Sequence, residues 1–180
     1  MSDSELLALF REEGKAQHAF DLLVRLYGER LYWHIRKMVV SHEDANDILQ
    51  NCLVKAWNGL PAFRGESKLF TWLYRIATNE VITFLKKRRN HLFQPLSAIS
   101  RQLSESLHSD PHFNGDELQL KLQKAILTLP NRQRQVFNMR YFEELKYEEI
   151  SEILRTSVGS LKASYHHAVE KIEHYMKQSV

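Results

Sequence analysis

The clearest pattern in this chain runs through Phe63-Arg64-Gly65-Glu66-Ser67-Lys68-Leu69-Phe70-Thr71-Trp72-Leu73-Tyr74-Arg75-Ile76-Ala77-Thr78-Asn79. A loop containing Gly65 leads into apolar residues that recur every three or four positions, so we predict a helix starting near Ser67. Its buried stripe is predicted to consist of Leu69, Leu73, Ile76, Ala77 and Phe84. Its opposite face carries Trp72, Arg75, Asn79, Thr83 and Lys86, and the helix ends in the basic run Lys86-Lys87-Arg88-Arg89. Aromatic side chains stack on unpaired bases and cations neutralise phosphates, so this face predicts a nucleic-acid surface.

The rest of the chain also has helical spacing, and no segment alternates as a strand does. Upstream, we predict a short helix from Ser4 to Phe10, a long helix whose stripe runs from Phe20 to Met38, and a helix capped by Ser41. Gly59 and Pro61 are expected to end this third helix. The sequence therefore predicts an all-α protein.

Residues 91–117 interrupt the pattern with Ser, His, Gln, Asp and two prolines. We interpret them as a flexible linker between two small helical domains, residues 1–90 and 118–180. In the second domain, Val136, Phe137 and Tyr141 are expected to line the inner side of one helix. A short helix from Tyr147 to Leu154, a tight break, and a final helix capped by Ser157 then predict a helix-turn-helix.

Composition restricts the function without deciding it. The 25 Lys+Arg and 22 Asp+Glu give a net charge of +3, too small to establish nucleic-acid binding by itself. Cys52 is the only cysteine and lies on an apolar stripe, which excludes a disulfide framework and indicates a core thiol. The chain shows no basic-then-apolar signal pattern and no apolar run of membrane-spanning length, so we expect a soluble, cytoplasmic protein with no membrane insertion.

Neither an enzyme nor a metalloprotein is indicated. The chain lacks a glycine-rich phosphate loop, a nucleophile motif and a metallohydrolase motif of the HExxH type, so we expect no catalytic residues and no cofactor. The nine histidines suggest an alternative metal site, formed by His166, His167 and His174 or by His108 and His112. Adjacent histidines diverge around a helix, however, and we expect no metal.

The segment from Phe63 to Asn79 closely resembles the promoter-melting segment of extracytoplasmic-function sigma factors, which belong to the sigma-70 family of bacterial RNA polymerase. The preceding helix agrees, because residues 44–57 are similar to the family helix that docks on the clamp of the polymerase. By that resemblance, the core-polymerase-binding residues are Asp47, Gln50, Asn51 and Lys55.

The resemblance also implies a mechanism for the first domain. Phe63 would stack on a base flipped from the -10 element, Asn79 would hydrogen-bond its edge, and the basic run would hold the backbone. The implied -10 DNA-binding residues are Phe63, Arg64, Lys68, Trp72, Arg75, Asn79, Lys86, Lys87, Arg88 and Arg89. Thr83 stands where the family usually has an aspartate.

The second domain resembles the family's helix-turn-helix, whose recognition helix reads the -35 element. The implied -35 DNA-binding residues are Gly159, Ser160, Lys162, Ala163, Ser164, His166 and His167. Arg155 and Thr156 replace the usual glycine and aliphatic residue of the turn, which leaves its conformation open. Ser164 and His167 replace common arginines, so we expect an unusual -35 preference.

The partners implied by the resemblance are core RNA polymerase, promoter DNA and an inhibitory anti-sigma factor. An alternative function is a helix-turn-helix transcriptional regulator that acts without core polymerase. It would account for the second domain and leave the melting loop unexplained.

Overall fold

The structure, a computed structural model, describes residues 2–92 and 117–178, with side chains up to Arg88 in the first range. The described residues form α-helices and no strand. The helices are α1 (Asp3–Arg11), α2 (Ala16–Val39), α3 (His42–Gly59), α4 (Leu69–Leu92), α5 (Glu117–Leu127), α6 (Asn131–Tyr141), α7 (Tyr147–Leu154) and α8 (Val158–Gln178). A short 3-10 turn, Leu60–Ala62, follows α3. The predicted linker lies outside the described residues except at its ends, where α4 continues to Leu92 and α5 begins at Glu117.

Local capping explains where several helices begin. The Ser2 hydroxyl accepts a hydrogen bond from the Glu5 N–H, and the Glu5 carboxylate accepts one from the Ser2 N–H, which closes a capping box on α1. Ser41 caps α3 as predicted, because its hydroxyl accepts from the Asp44 N–H at 3.2 Å. Ser157 caps α8 in the same way, because its hydroxyl accepts a hydrogen bond from the Ser160 N–H at 3.3 Å. These caps satisfy backbone donors that have no partner within the helix.

Helices α1–α4, which we call the N-terminal half, share one apolar core with part of the C-terminal half, α5–α8. Leu23, Ile35 and Leu73 are buried in the same cluster as Met139 and Ile150. Helix α4 packs on α7, and α2 packs on α6. A smaller second cluster lies within the C-terminal half and contains Ala125, Ile126, Leu129, Phe137, Ala168 and Ile172. Helical periodicity predicted two domains, but it could not show that their surfaces pack together.

Two details differ from the sequence-based expectations. Helix α4 begins at Leu69, two residues after Ser67, because the Leu69 N–H is capped by a side chain from α1. Tyr141 was expected on an inner face, but it is 52% exposed. It is the last residue of α6, and its ring lies on the outer side of Phe137 with 5.1 Å between the ring centroids.

The turn before the recognition helix is formed without glycine. Helix α7 spans Tyr147–Leu154 as predicted, and Arg155 adopts a left-handed conformation with φ 49°. The side chain of Thr156 bonds the turn to its surroundings, because its hydroxyl donates to the Leu154 carbonyl at 3.3 Å. The Ser151 hydroxyl donates to the Thr156 carbonyl at 2.6 Å. These two bonds help to hold a conformation that glycine would adopt more readily.

Candidate nucleic-acid and polymerase interfaces

A cleft of about 600 Å³ lies between the end of α3 and the start of α4. It is lined by Gly59, Ala62, Phe63, Arg64, Glu66, Ser67, Trp72 and Arg75. The rings of Phe63 and Trp72 face one another with 5.0 Å between centroids and 40° between planes. Arg64 is exposed at the edge of the cleft. The cleft therefore combines aromatic surface with cationic side chains, which suits a flat, anionic ligand such as a nucleotide.

Phe63 itself is less available than the sequence suggested. Its side chain is only 8% exposed, because it packs on Trp72 and belongs to the apolar core. Gly59 makes this packing possible, since a Cβ on Gly59 would lie 2.8 Å from Cζ2 of Trp72. Gly65 has φ +75°, a conformation that side chains rarely adopt. These two glycines shape the cleft.

Helix α1 holds both sides of the cleft loop, a relationship that sequence reasoning missed. Arg11 Nη2 donates to the Phe63 carbonyl at 2.9 Å. Asp3 Oδ2 accepts from the Leu69 N–H at 2.9 Å and so caps α4, and Asp3 Oδ1 accepts from the Tyr27 hydroxyl at 2.8 Å. Burial and the bond to Asp3 together raise the pKa of Tyr27 to about 12. No local signal could have revealed these contacts, because they join residues 24 to 66 positions apart.

The outer face of α4 is arranged largely as predicted. Asn79, Lys86 and Lys87 are exposed, and Trp72 is half-buried. Arg88 Nη1 lies 3.4 Å from Asp44 Oδ2 on α3, so its charge is partly engaged. The side chain of Arg89 lies outside the described residues. The Thr83 hydroxyl donates to the carbonyl of Asn79, one turn earlier in the same helix, at 2.8 Å.

Two of the predicted DNA-binding residues contact α7, although the side chain of Lys68 remains exposed. Lys68 Nζ lies 3.7 Å from Glu149 Oε1. Arg75 Nη2 donates to the Glu152 carbonyl at 3.1 Å. The C-terminal half therefore approaches the predicted -10 surface.

The predicted polymerase-docking face of α3 is open. Asp47, Gln50 and Asn51 are exposed, whereas Lys55 forms an ion pair with Glu80 of α4. Val54 lies on the same face of α3 as Asp47, Gln50 and Asn51, and it is 56% exposed. Sequence reasoning did not include Val54, although its position four residues after Gln50 places it on that face.

The N-terminal turns of α8 present the residues predicted for base readout. Gly159, Ser160, Lys162, Ala163, His166 and His167 are exposed, and Ser164 is half-buried. A Cβ on Gly159 would meet no atom within 4 Å, so packing does not require glycine there. His166 Nε2 and His167 Nδ1 lie 3.3 and 3.4 Å from the carboxylate of Glu170. This acidic neighbour was missed, and it places a negative charge beside the predicted reading surface.

The alternatives raised by histidine and cysteine receive no support. The described residues contain no group of three His, Cys, Asp or Glu side chains that could hold a metal ion. His108 and His112 lie outside those residues. Cys52 is buried, and burial raises the pKa of its thiol to about 12, so it remains protonated near neutral pH. Among the described helices, none is long and apolar enough to cross a membrane.

Comparison with known proteins decides the family. The family model for sigma-70 region 2 matches residues 23–91, and the model for sigma-70 region 4 matches residues 119–172. The chain is 31% identical over 165 residues to the ECF RNA polymerase sigma-E factor of Escherichia coli, covering 87% of this chain and 86% of that protein. The chain belongs to the extracytoplasmic-function sigma factors.

Other comparisons agree with that assignment. The RNA polymerase sigma-H factor of Pseudomonas aeruginosa is 30% identical to the sigma factor described here, over 87% of this chain and 86% of that protein. The solved structure of CnrH in complex with the cytosolic domain of CnrY has a TM-score of 0.70 at 20% identity and covers 99% of each chain. RpoE of Bartonella quintana, solved with the anti-sigma factor NepR, has a TM-score of 0.68 at 21% identity over 89% of this chain and 98% of that one. At these identities the structures show the shared fold.

As a sigma factor, the protein binds core RNA polymerase and directs promoter recognition, DNA melting and transcription initiation. Its partners are core RNA polymerase and promoter DNA. Sigma factors are non-enzymatic regulatory proteins. A regulator that acts without polymerase would not explain the region 2 match, so that alternative is set aside.

Proposed function

We propose that this sigma factor opens its promoter by capturing one base of the -10 element in the cleft between α3 and α4. The observation that carries the proposal is the contact of Phe63 with Trp72 in the lining of a cleft that has Arg64 at its edge. Extruding a base costs a few kcal/mol, which stacking and phosphate contacts can offset. Because Phe63 already packs on Trp72, with 40° between the ring planes, the incoming base adds a third ring to an existing aromatic contact.

The remaining contacts follow the outer face of α4. Asn79 hydrogen-bonds the edge of the captured base, and Lys68 and Arg75 hold the strand near the cleft. Lys86, Lys87, Arg88 and Arg89 contact the backbone further along. Of these side chains, Lys68, Asn79, Lys86 and Lys87 are exposed and Arg75 and Arg88 are half-buried, which supports this assignment.

We further propose that residues 1–90 form the domain for polymerase docking and -10 recognition and that residues 118–180 form the domain for -35 recognition. Asp47, Gln50, Asn51 and Lys55 of α3 bind the polymerase, and Val54 adds apolar contact. Gly159, Ser160, Lys162, Ala163, Ser164, His166 and His167 contact the -35 element. The exposure of most of these side chains is consistent with both roles.

Regulation and location complete the proposal. An anti-sigma factor is proposed as an inhibitory partner, because the structural neighbours CnrH and RpoE were solved in complexes with CnrY and with the anti-sigma factor NepR. The protein acts in the cytoplasm and has no catalytic activity of its own.

The base-capture proposal is tested with Phe63→Leu, which keeps an apolar side chain and removes the aromatic face. With reconstituted polymerase, permanganate footprinting should show open-complex formation reduced about fivefold, since stacking contributes roughly 1–3 kcal/mol per base. Binding to the closed duplex should change little.

Phe20→Leu is the matched control, because Phe20 also packs on a tryptophan of the N-terminal half, with 5.1 Å between its centroid and that of Trp57. It lies outside the cleft lining. Equal melting by Phe63→Leu and Phe20→Leu would show that Phe63 is only a core residue.

A further inference from the structure

A second cleft, of about 410 Å³, lies between α2, the N-terminal part of α4 and the connection from α6 to α7. Pockets that hold small molecules typically measure about 300–1,000 Å³. None of its lining residues belongs to the surfaces proposed to bind DNA or polymerase. The lining residues are Glu29, Arg30, Trp33, Lys37, Tyr74, Phe142 and Glu143.

The buried wall of this second cleft contains a hydrogen-bond acceptor that the chain does not satisfy. The side chain of Glu143 is 7% exposed, and its Oε1 lies 3.0 Å from Nδ1 of His34. Its Oε2 is buried and has no hydrogen-bond partner among the described residues. Tyr74 helps to lower the pKa of Glu143, but the Tyr74 hydroxyl donates to the Arg30 carbonyl at 3.3 Å. A buried acceptor without a donor is costly, so a ligand N–H at Oε2 stabilises the complex.

A cationic donor lies near this acceptor. Lys37 of α2 is half-buried, and its Nζ lies 5.1 Å from the ring centroid of Phe142. Burial lowers the pKa of Lys37, and the carboxylate of Glu143 only partly offsets that effect. Burial also favours the neutral form of Glu143, but His34 and Lys37 outweigh it and lower its pKa. The wall therefore offers a ligand one charged acceptor and one charged donor.

An exposed aromatic ring provides a flat surface in the same cleft. Trp33 of α2 is 45% exposed, although tryptophan is usually well buried. Its ring is held by an edge contact with Tyr32, with 5.2 Å between centroids and 74° between planes. Tryptophan rings stack on heteroaromatic bases of any identity. Trp33 therefore suits a planar ligand.

Two exposed side chains of opposite charge border the cleft. The guanidinium of Arg30 lies 4.5 Å from the ring centroid of Phe70, and it forms no ion pair with any residue that the structure describes. Its fork of donors matches the geometry of a phosphate group. Glu29 is exposed beside it, and acidic side chains accept hydrogen bonds from ribose hydroxyls in dinucleotide-binding folds.

We propose that the second cleft binds a free purine nucleotide. The edge of the base donates an N–H to Oε2 of Glu143 and accepts from Nζ of Lys37, as adenine and guanine edges can. The purine ring stacks on Trp33, the ribose hydroxyls reach Glu29, and the phosphate pairs with Arg30. From the buried wall to the exposed border, the cleft thus matches the order of base, sugar and phosphate.

The inference does not depend on base capture, because the second cleft shares no lining residue with the cleft between α3 and α4. Either proposal can fail while the other stands. Since both clefts contain a tryptophan and an arginine, the test must show which of them a nucleotide occupies.

Heteronuclear NMR of the full-length protein locates the ligand. The chain has three tryptophans, and their indole N–H signals are assigned with Trp33→Phe and Trp72→Phe. Adenosine monophosphate or guanosine monophosphate should bind saturably and shift the Trp33 signal. The signal of Trp72, which lines the other cleft, should stay in place.

Substitutions on α2 separate stacking from phosphate binding. Trp33→Leu should weaken nucleotide binding about fivefold or more, because it removes the stacking surface. Arg30→Gln should weaken binding of the nucleotide about tenfold and leave binding of the corresponding nucleoside unchanged, since only the nucleotide carries a phosphate. Leu26→Ala and Arg25→Gln are the matched controls, because both residues are exposed on α2 and lie outside the cleft lining. Both controls should bind as the wild type does.

The contact with Glu143 is tested from the ligand side, which leaves the protein unchanged. Purine riboside monophosphate has no N–H on its base, so it offers Glu143 no donor. It should bind about fivefold more weakly than the tighter of the two natural nucleotides, because Oε2 stays unsatisfied. Equal affinities would overturn the inference, and this comparison decides the question if circular dichroism shows that a substituted protein unfolds.

Three further results overturn the inference. Neither nucleotide binds, or a bound nucleotide shifts only the Trp72 signal, or Trp33→Leu binds as tightly as Leu26→Ala. A single-stranded oligonucleotide is the final probe. If it shifts the Trp33 signal while neither free nucleotide does, the cleft holds a nucleic-acid strand and the assignment to a free nucleotide is wrong.

Discussion

The carboxylate of Asp3 accepts a hydrogen bond from the backbone N–H of Leu69 at 2.9 Å, across 66 positions of sequence. The bond starts α4 beside the cleft and ties the position of α1 to that of the proposed melting loop. The Arg11 bond to the Phe63 carbonyl acts on the other side of the same loop. The first helix is thus a support for the cleft, and this role is open to direct test.

Asp3→Ala should lower the free energy of unfolding by about 1 kcal/mol, the usual contribution of a side-chain helix cap. Urea denaturation measures it. Asp21→Ala is the control, because Asp21 is exposed and accepts a hydrogen bond from Gln17 one turn away on the same helix. It should change stability by less than about 0.5 kcal/mol. If the two substitutions lowered the free energy of unfolding equally, the Asp3 cap would make no specific contribution to stability.

Tyr27 should give the protein a pH-dependent stability in the alkaline range. Its pKa is raised to about 12 in the folded state, above the value of about 10 for an unfolded tyrosine. The folded state therefore holds the proton more tightly, so the contribution is complete below about pH 10 and is lost as the pH rises towards 12.

The measurement compares urea unfolding of the wild type and Tyr27→Phe at about pH 9 and pH 11. The wild type should lose more stability than Tyr27→Phe over that interval. Tyr141→Phe removes an exposed tyrosine of α6 and should follow the wild type. Parallel losses in wild type and Tyr27→Phe would contradict the raised pKa.

The docking face of α3 predicts a polymerase-binding defect without a folding defect. Asp47→Ala with Gln50→Ala should weaken binding to core polymerase about tenfold or more, while the free energy of unfolding changes by less than about 0.5 kcal/mol. A titration with purified core polymerase measures the affinity. The double substitution Gln17→Ala with Asp21→Ala makes the same chemical change on exposed α2 positions and should bind normally.

Val54→Asp should weaken polymerase binding at least as strongly, since it places a charge in the middle of that face. Val54 is exposed, so the fold should tolerate the change. Normal binding by both docking variants would remove α3 from the polymerase interface.

The recognition helix should separate sequence preference from general affinity. His167→Arg should alter the preferred -35 sequence, because a side chain at a base edge contributes about 1–3 kcal/mol of discrimination. Lys87→Ala on α4 should weaken all promoters similarly and reduce the salt dependence of binding. Selection from a randomised promoter pool at two salt concentrations measures both effects.

His174→Arg is the matched control for His167→Arg, since His174 lies two turns further along α8 and is exposed. It should leave the preference unchanged, because the N-terminal turns of a recognition helix enter the groove. An unchanged preference in His167→Arg would withdraw Ser160, Ala163 and His167 from the reading surface.

Sequence by itself determined the helices, because their buried faces repeat with the period of the α-helix and their ends carry local caps. Helix α7 was predicted at its observed bounds, and Ser41 and Ser157 were identified as caps from neighbouring residues alone. The motif around Phe63 was also sufficient to indicate the family. These features depend on residues a few positions apart, so periodicity and spacing record them.

Tertiary structure decided which of those surfaces are available. The bond from Leu69 to Asp3 and the contact of His34 with Glu143 join residues 66 and 109 positions apart. The burial of Phe63 in the apolar core likewise depends on packing between helices. Periodicity shows that a face is apolar or polar, but it carries no information about what packs against that face. The contacts of Lys68 and Arg75 with α7 therefore appear only when the chain is folded, because the shared apolar core, and not any local pattern, brings α7 to α4.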